Sequence, residues 1–208
     1  MFADTRTAFT NARDLPEVQA LLVPFGYDPV RLDAGLALID AAEDATRAQQ
    51  TEYAEQFAAT SDLSESVAEL RASYMRHVKL ARVLFPPGTG EHTTLGLSGD
   101  RRDDLPGLIA QTEAFYRALL ADARLLARTE TVRLDQASAE AGLAQVEAVE
   151  AARASQAKET GEAQVATAVR DDAVSALRGY WSDFRRVAEV ALEEQPQLRE
   201  TLGLLERS

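Results

Sequence analysis

The chain has 208 residues, 46% hydrophobic and 6% aromatic, with 34 acidic against 22 basic side chains and a net charge of −12. That balance argues against nucleic acid or an anionic membrane as partner. The lack of cysteine excludes a disulfide framework and thiolate chemistry, and no run of about 18 apolar residues is present to span a bilayer.

Ala, Leu, Glu, Gln and Arg dominate, so the expected class is all-α. The opening "MFADTRTAFTNA" has neither a basic start nor an apolar core, which is not a signal peptide, and the expected location is the cytoplasm. Asp28-Pro29 is a good helix start, with Asp as N-cap and Pro at the first helical position. From Leu36 to Phe85 there is neither Pro nor Gly. Leu32, Leu36, Ile39, Tyr53, Phe57, Leu63, Val67, Leu70, Tyr74, His77, Ala81 and Leu84 form an apolar stripe at three-and-four spacing. The spacing predicts one long helix, straight or kinked. A hairpin turning near Thr60-Ser61, with Asp62 and Glu65 as capping box, is the alternative, since helices of about 55 residues are rare.

"FPPGTGEHTTLGL" (Phe85 to Leu97) imitates a phosphate-binding loop, but the match fails chemically. That loop follows a strand and needs GxxxxGK[ST], whereas here a helix precedes it and Glu91-His92 stands where the lysine belongs. A glutamate would repel the phosphates. The stretch reads as a linker, about residues 86–103. Asp104-Leu105-Pro106 starts the next helix, running to about Arg128, and the stripe resumes at Leu143, Val146, Val149, Val174, Leu177, Trp181, Phe184 and Ala188.

"TLGL" occurs at Thr94–Leu97 and again at Thr201–Leu204, an offset of 201 − 94 = 107. Sliding the chain by 107 aligns residues 1–101 with 108–208 without a gap, and 25 of those 101 pairs are identical. "DAGLALIDAAEDA" falls on "EAGLAQVEAVEAA", and Tyr74 on Trp181. Two tandem repeats, 1–97 and 98–208, are therefore expected to form one elongated antiparallel helical bundle with pseudo-two-fold symmetry. Gly96 and Gly203 are expected to permit left-handed turns while the "TLGL" leucines cap the helix ends.

The repeats share a QxxExxE pattern: Gln49, Glu52 and Glu55 in the first, Gln156, Glu159 and Glu162 in the second. Each trio shares a helical face and extends a row of small residues. Three readings compete: a solvated face, ion pairing with Arg71 and Arg178 or the other repeat, or a metal site. Four inward carboxylates are how di-iron bundles hold metal, but those sites add histidines, and His77 and His92 lie far from these glutamates in sequence. His77 aligns with Phe184 and so reads as a packing position. Tyr74, Trp181 and Phe184 read as core anchors, or as the lining of a small-ligand pocket between the repeats. No recognisable serine–histidine–acid set and no defensible acid pair is present. The expected function is non-enzymatic and without a cofactor: a structural or protein-interaction bundle, as homo-oligomer or with a protein partner. A carboxylate metal site or a small-ligand site is the alternative.

Overall fold

The computed structural model describes residues 1–204, among which every regular element is helical. In chain order these are α1 (Phe2–Asp14), α2 (Pro16–Leu22), a 3-10 turn (Val23–Phe25), α3 (Pro29–Leu84), α4 (Gly90–Thr94), α5 (Leu105–Ala121), α6 (Ala123–Glu130), α7 (Gln136–Ala191) and α8 (Pro196–Thr201). No helix among the described residues is long and apolar enough to cross a membrane. The chain divides into two compact units: unit 1 comprises residues 1–54 and 161 onward, and unit 2 comprises Glu55–Thr160. Both α3 and α7 run unbroken from one unit into the other.

Unit 1 is built from α1, α2, the first part of α3, the last part of α7, and α8. Helix α1 buries Thr5, Ala8, Phe9 and Ala12 at three-and-four spacing. The chain then turns through Gly26 at φ +83°, a conformation that costs glycine little, and Asp28 caps α3 by accepting from the Arg31 amide at 2.8 Å. Phe9, Leu22, Tyr27, Leu32 and Ile39 close over Leu177, Phe184 and Ala188 of α7. Phe9 meets Tyr180, Trp181 and Phe184 edge-on, with ring centroids 4.9–5.7 Å apart. At the margin Arg6 pairs with Asp40 and Glu43, tying α1 to α3.

Unit 2 contains the rest of α3, then α4, α5, α6 and the first part of α7. Asp104 caps α5 by accepting from the Gly107 amide at 2.8 Å, and Asp135 does the same for the Ser138 amide at the start of α7. Leu70, Tyr74, Val78 and Phe85 of α3 and its end pack with Leu108, Phe115, Tyr116 and Leu119 of α5, and with Val146 and Val149 of α7. The segment between α4 and α5 is held by two arginines. Arg82 donates to the Leu97 and Gly99 carbonyls, and Arg101 to those of Gly96, Ser98 and Gly99 and to the Tyr74 hydroxyl.

The long-helix expectation holds: α3 and α7 are single helices of 56 residues each, and no turn interrupts residues 60–62. Gly96 and Gly203 adopt φ +60° and +65°, and Leu95, Leu97, Leu202 and Leu204 are buried beside them. Two expectations are corrected. The helix beginning at Leu105 ends at Ala121, because Asp122 turns extended and caps α6 by accepting from the Arg124 amide. Tyr53 and Phe57 are not in the buried stripe, being 40% and 73% exposed. Each four-residue step turns the helix about 40° past a full circle, so stepping from Gln49 to Tyr53 to Phe57 rotates off the core. The inward line instead follows the buried Gln49 and Ala59 with the half-buried Glu52 and Gln56 between them. Each compact unit combines one segment from residues 1–97 with one from residues 98–208. Residues 205–208 lie outside the described residues.

Candidate functional site

The shared glutamates sit where the cores give way to polar side chains. Gln49 of α3 is buried, and its amide donates to the Thr167 hydroxyl of α7 at 3.3 Å. The Thr167 hydroxyl donates to the Ala163 carbonyl one turn earlier at 2.8 Å and lies 3.4 Å from the Tyr53 hydroxyl. Gln49, Tyr53 and Thr167 thus form a polar cross-link within unit 1.

Next to it, Glu52 of α3 and Glu162 of α7, both in unit 1, bring a carboxylate oxygen each to within 4.8 Å of the other. Two like charges at that separation repel by about 3 kcal/mol at an effective dielectric near 20, less where water reaches them. Glu52 is half-buried, and one of its oxygens is shielded from solvent without a hydrogen-bond partner. Glu159, with its side chain 14% exposed, has one oxygen in the same condition and pairs with Lys158 at 2.9 Å. Glu55, the fourth candidate, is exposed and outside the group. The anticipated ion pairs with arginine take another form: Arg71 reaches Asp103 at 3.0 Å, and Arg178 is exposed.

The carboxylates of Glu52 and Glu162 are hard oxygen donors close enough to share a divalent cation. Without a cation their like charges oppose each other.

The aromatic candidates do not share a pocket. Tyr74 lies in the core of unit 2 against Phe115, at 5.7 Å between ring centroids. Trp181 and Phe184 stack in unit 1, also at 5.7 Å. Trp181 reaches the surface beside Ser182, Arg185, Arg186 and Glu189, which line a shallow depression.

The phosphate-loop look-alike is occupied by its own side chains. Thr89 caps α4, a single short helix, by accepting from the His92 amide at 3.2 Å. His92 is buried with Nδ1 bonded to the Phe85 carbonyl at 2.8 Å, and Arg82 is spent on backbone carbonyls. A concavity of ≈ 450 Å³ is bordered by Arg82, Pro87, His92, Leu97, Ser98 and Gly99.

His77 is buried, 7% exposed, as its alignment with Phe184 suggested. Its Nδ1 is hydrogen-bonded to the Tyr116 hydroxyl at 2.8 Å. Burial, then the nearby Arg76 charge, lowers the histidine's pKa, while burial drives the Tyr116 hydroxyl well above its ordinary value. Both groups are therefore neutral at pH 7. The Tyr116 and Thr167 partnerships were invisible in the sequence, since each joins residues far apart in the chain.

No protein-family model, curated protein or solved structure matches the chain.

Proposed function

We propose that the chain is a non-enzymatic helical scaffold that docks another protein. The observation that carries this reading is a pair of exposed apolar side chains on one face of α7 in unit 1. Val165 and Val169, one turn apart, are 65% and 54% exposed, on the side of the helix opposite Thr167 and its contact with α3. Scattered exposed apolar residues need no explanation, whereas grouped ones mark interaction surfaces. A net charge of −12 opposes a second copy at that surface and suits a protein partner with a basic rim. Self-association through the alanine-rich faces is the competing occupant.

A photo-crosslinking residue at Val165, with one at the exposed Val30 as control, tests this in cells. The expected result is an adduct of one defined mass from position 165 alone, weakened by salt. An adduct of twice the chain mass would assign the surface to self-association. Identical adducts from both positions, or none from 165, would end the docking reading.

We also read the chain as an internal duplication. Supporting this, α3 and α7 start 136 − 29 = 107 residues apart and have equal length. The left-handed residues Gly26 and Arg133 share that spacing, 133 − 26 = 107, as do Gly96 and Gly203.

A second reading, a divalent-cation site using Glu52 and Glu162 of unit 1, is favoured by the approach of their carboxylates and by the shielded Glu52 oxygen without a hydrogen-bond partner. Elemental analysis of protein made in metal-replete medium tests it. A stoichiometric metal supports the site, and sub-stoichiometric metal removes it.

A further inference from the structure

Neither compact unit can be completed by one half of the chain. In unit 1, Phe9, Leu32 and Ile39 from the first half bury against Leu177, Phe184 and Leu202 from the second. Unit 2 reverses the contributions: Leu70, Tyr74 and Phe85 come from the first half, Phe115, Tyr116 and Val146 from the second. Split near residue 100, the chain leaves each half with two incomplete apolar faces and each complement on the other half. The connection itself adds little packing. Ser98, Gly99 and Asp100 are exposed and outside any helix, and a Cβ added at Gly99 would meet nothing within 4 Å. Arg101 binds back to the Gly96, Ser98 and Gly99 carbonyls by side-chain bonds that survive a cut after Gly99.

We infer that the two halves, residues 1–99 and 100–208, are mutual protein-binding partners. The chain is a tethered two-part complex in which the link raises the effective concentration of the parts without shaping either unit. The interface is the set of apolar faces that α1, α3, α5 and α7 present inside each unit, and the partner each half fits is the other half. The inference does not depend on the docking surface or the carboxylate group.

The test inserts a specific protease site between Gly99 and Asp100 of the full chain, cuts the folded protein and measures it uncut and cut. Light scattering on the cut sample is expected to give the mass of the intact chain, 22.6 kDa plus the insert, with the helical signal retained. Its melting midpoint is expected to rise with protein concentration, as for any two-part complex, while that of the uncut protein stays fixed. Denaturing and refolding the cut mixture is expected to return a one-to-one pair. Separation into two half-mass species at micromolar concentration, or loss of helical signal on cutting, would overturn the inference. If the insertion itself hinders folding, a site after Gly88, which also has no atom within 4 Å of an added Cβ, supplies the same readout.

Discussion

Gly142 on α7 and Tyr116 on α5 approach so closely that a β-carbon on the glycine would fall 2.2 Å from the tyrosine ring. Tyr116 is fully buried and its hydroxyl is tied to His77, so the ring has little freedom to retreat. Gly142→Ala is expected to destabilise unit 2. Overpacking costs about 1–3 kcal/mol, against about 1 kcal/mol gained from helix propensity. Gly35, where the contacts are 2.9 Å to Tyr180 and 3.0 Å to Phe9, should tolerate alanine better. Urea unfolding of both variants checks the order, and a Gly142→Ala protein as stable as the parent would refute the packing account.

His77 predicts a pH dependence. Its folded pKa lies below the unfolded value of about 6.5 because burial disfavours the charged ring. Above about pH 6.5 both states are neutral and the full stability is present. As pH falls below that value the unfolded chain binds a proton first, so stability declines until the folded pKa is reached. Asp14, Asp122 and Asp135, whose pKa values are lowered chiefly by hydrogen bonds, lose their contributions only below about pH 4. His77→Phe combined with Tyr116→Phe, which avoids an orphaned hydroxyl, is expected to flatten the slope between pH 7 and 5. Denaturation midpoints at those two pH values measure it, and an unchanged slope would clear His77 of the effect.

Arg101 binds three backbone carbonyls and the Tyr74 hydroxyl, so Arg101→Ala should free the segment around residues 96–101. Hydrogen bonds involving a charged group contribute about 1.5–3 kcal/mol in partly buried settings. The expected result is a loss of about 2 kcal/mol and faster proteolytic cleavage after Arg102 or nearby. Unaltered cleavage kinetics would mean that the segment is held by its apolar contacts alone.

Glu52→Gln separates the two states of the carboxylate group. Without metal, removing one of the clustered charges should raise the melting temperature by about 2–4 °C, corresponding to about 1 kcal/mol in a chain of this size. If the group holds a cation, added Mn2+ or Fe2+ should instead raise the melting temperature of the parent and leave the variant unmoved. A variant less stable than the parent in chelator would contradict the stored repulsion.

The helical class and the unbroken α3 were legible because residues 36–85 lack glycine and proline and carry three-and-four spacing, whereas α7 continues through Gly142, Gly161 and Gly179. His77 was legible as core through its alignment with Phe184. Tyr53 and Phe57 misled because their size outweighed their phase, and the line that turns inward, through the buried Gln49 and the half-buried Glu52 and Gln56, looks polar in sequence. The carboxylate group was half legible: the shared spacing picked out four glutamates, of which Glu52 and Glu162 meet in unit 1 while Glu55 turns outward. The division into units was not legible. Its boundaries fall after Ala54 and Thr160, inside continuous helices where no change of composition marks them.

The passage of α3 and α7 through both units also fixes a schedule for the chain as it is made. Unit 2 is one continuous stretch and has all its parts once Thr160 has been synthesised. Unit 1 does not. Its Leu32 and Ile39 emerge early, but Leu204, which closes the same core, arrives 204 − 160 = 44 residues later than Thr160. At translation rates of about 5–20 residues per second, that is a delay of roughly 2–9 s. During that interval the amino-terminal helices stand with their apolar faces open, so nascent chains stalled late in synthesis are the ones most exposed to chaperones and to misassociation.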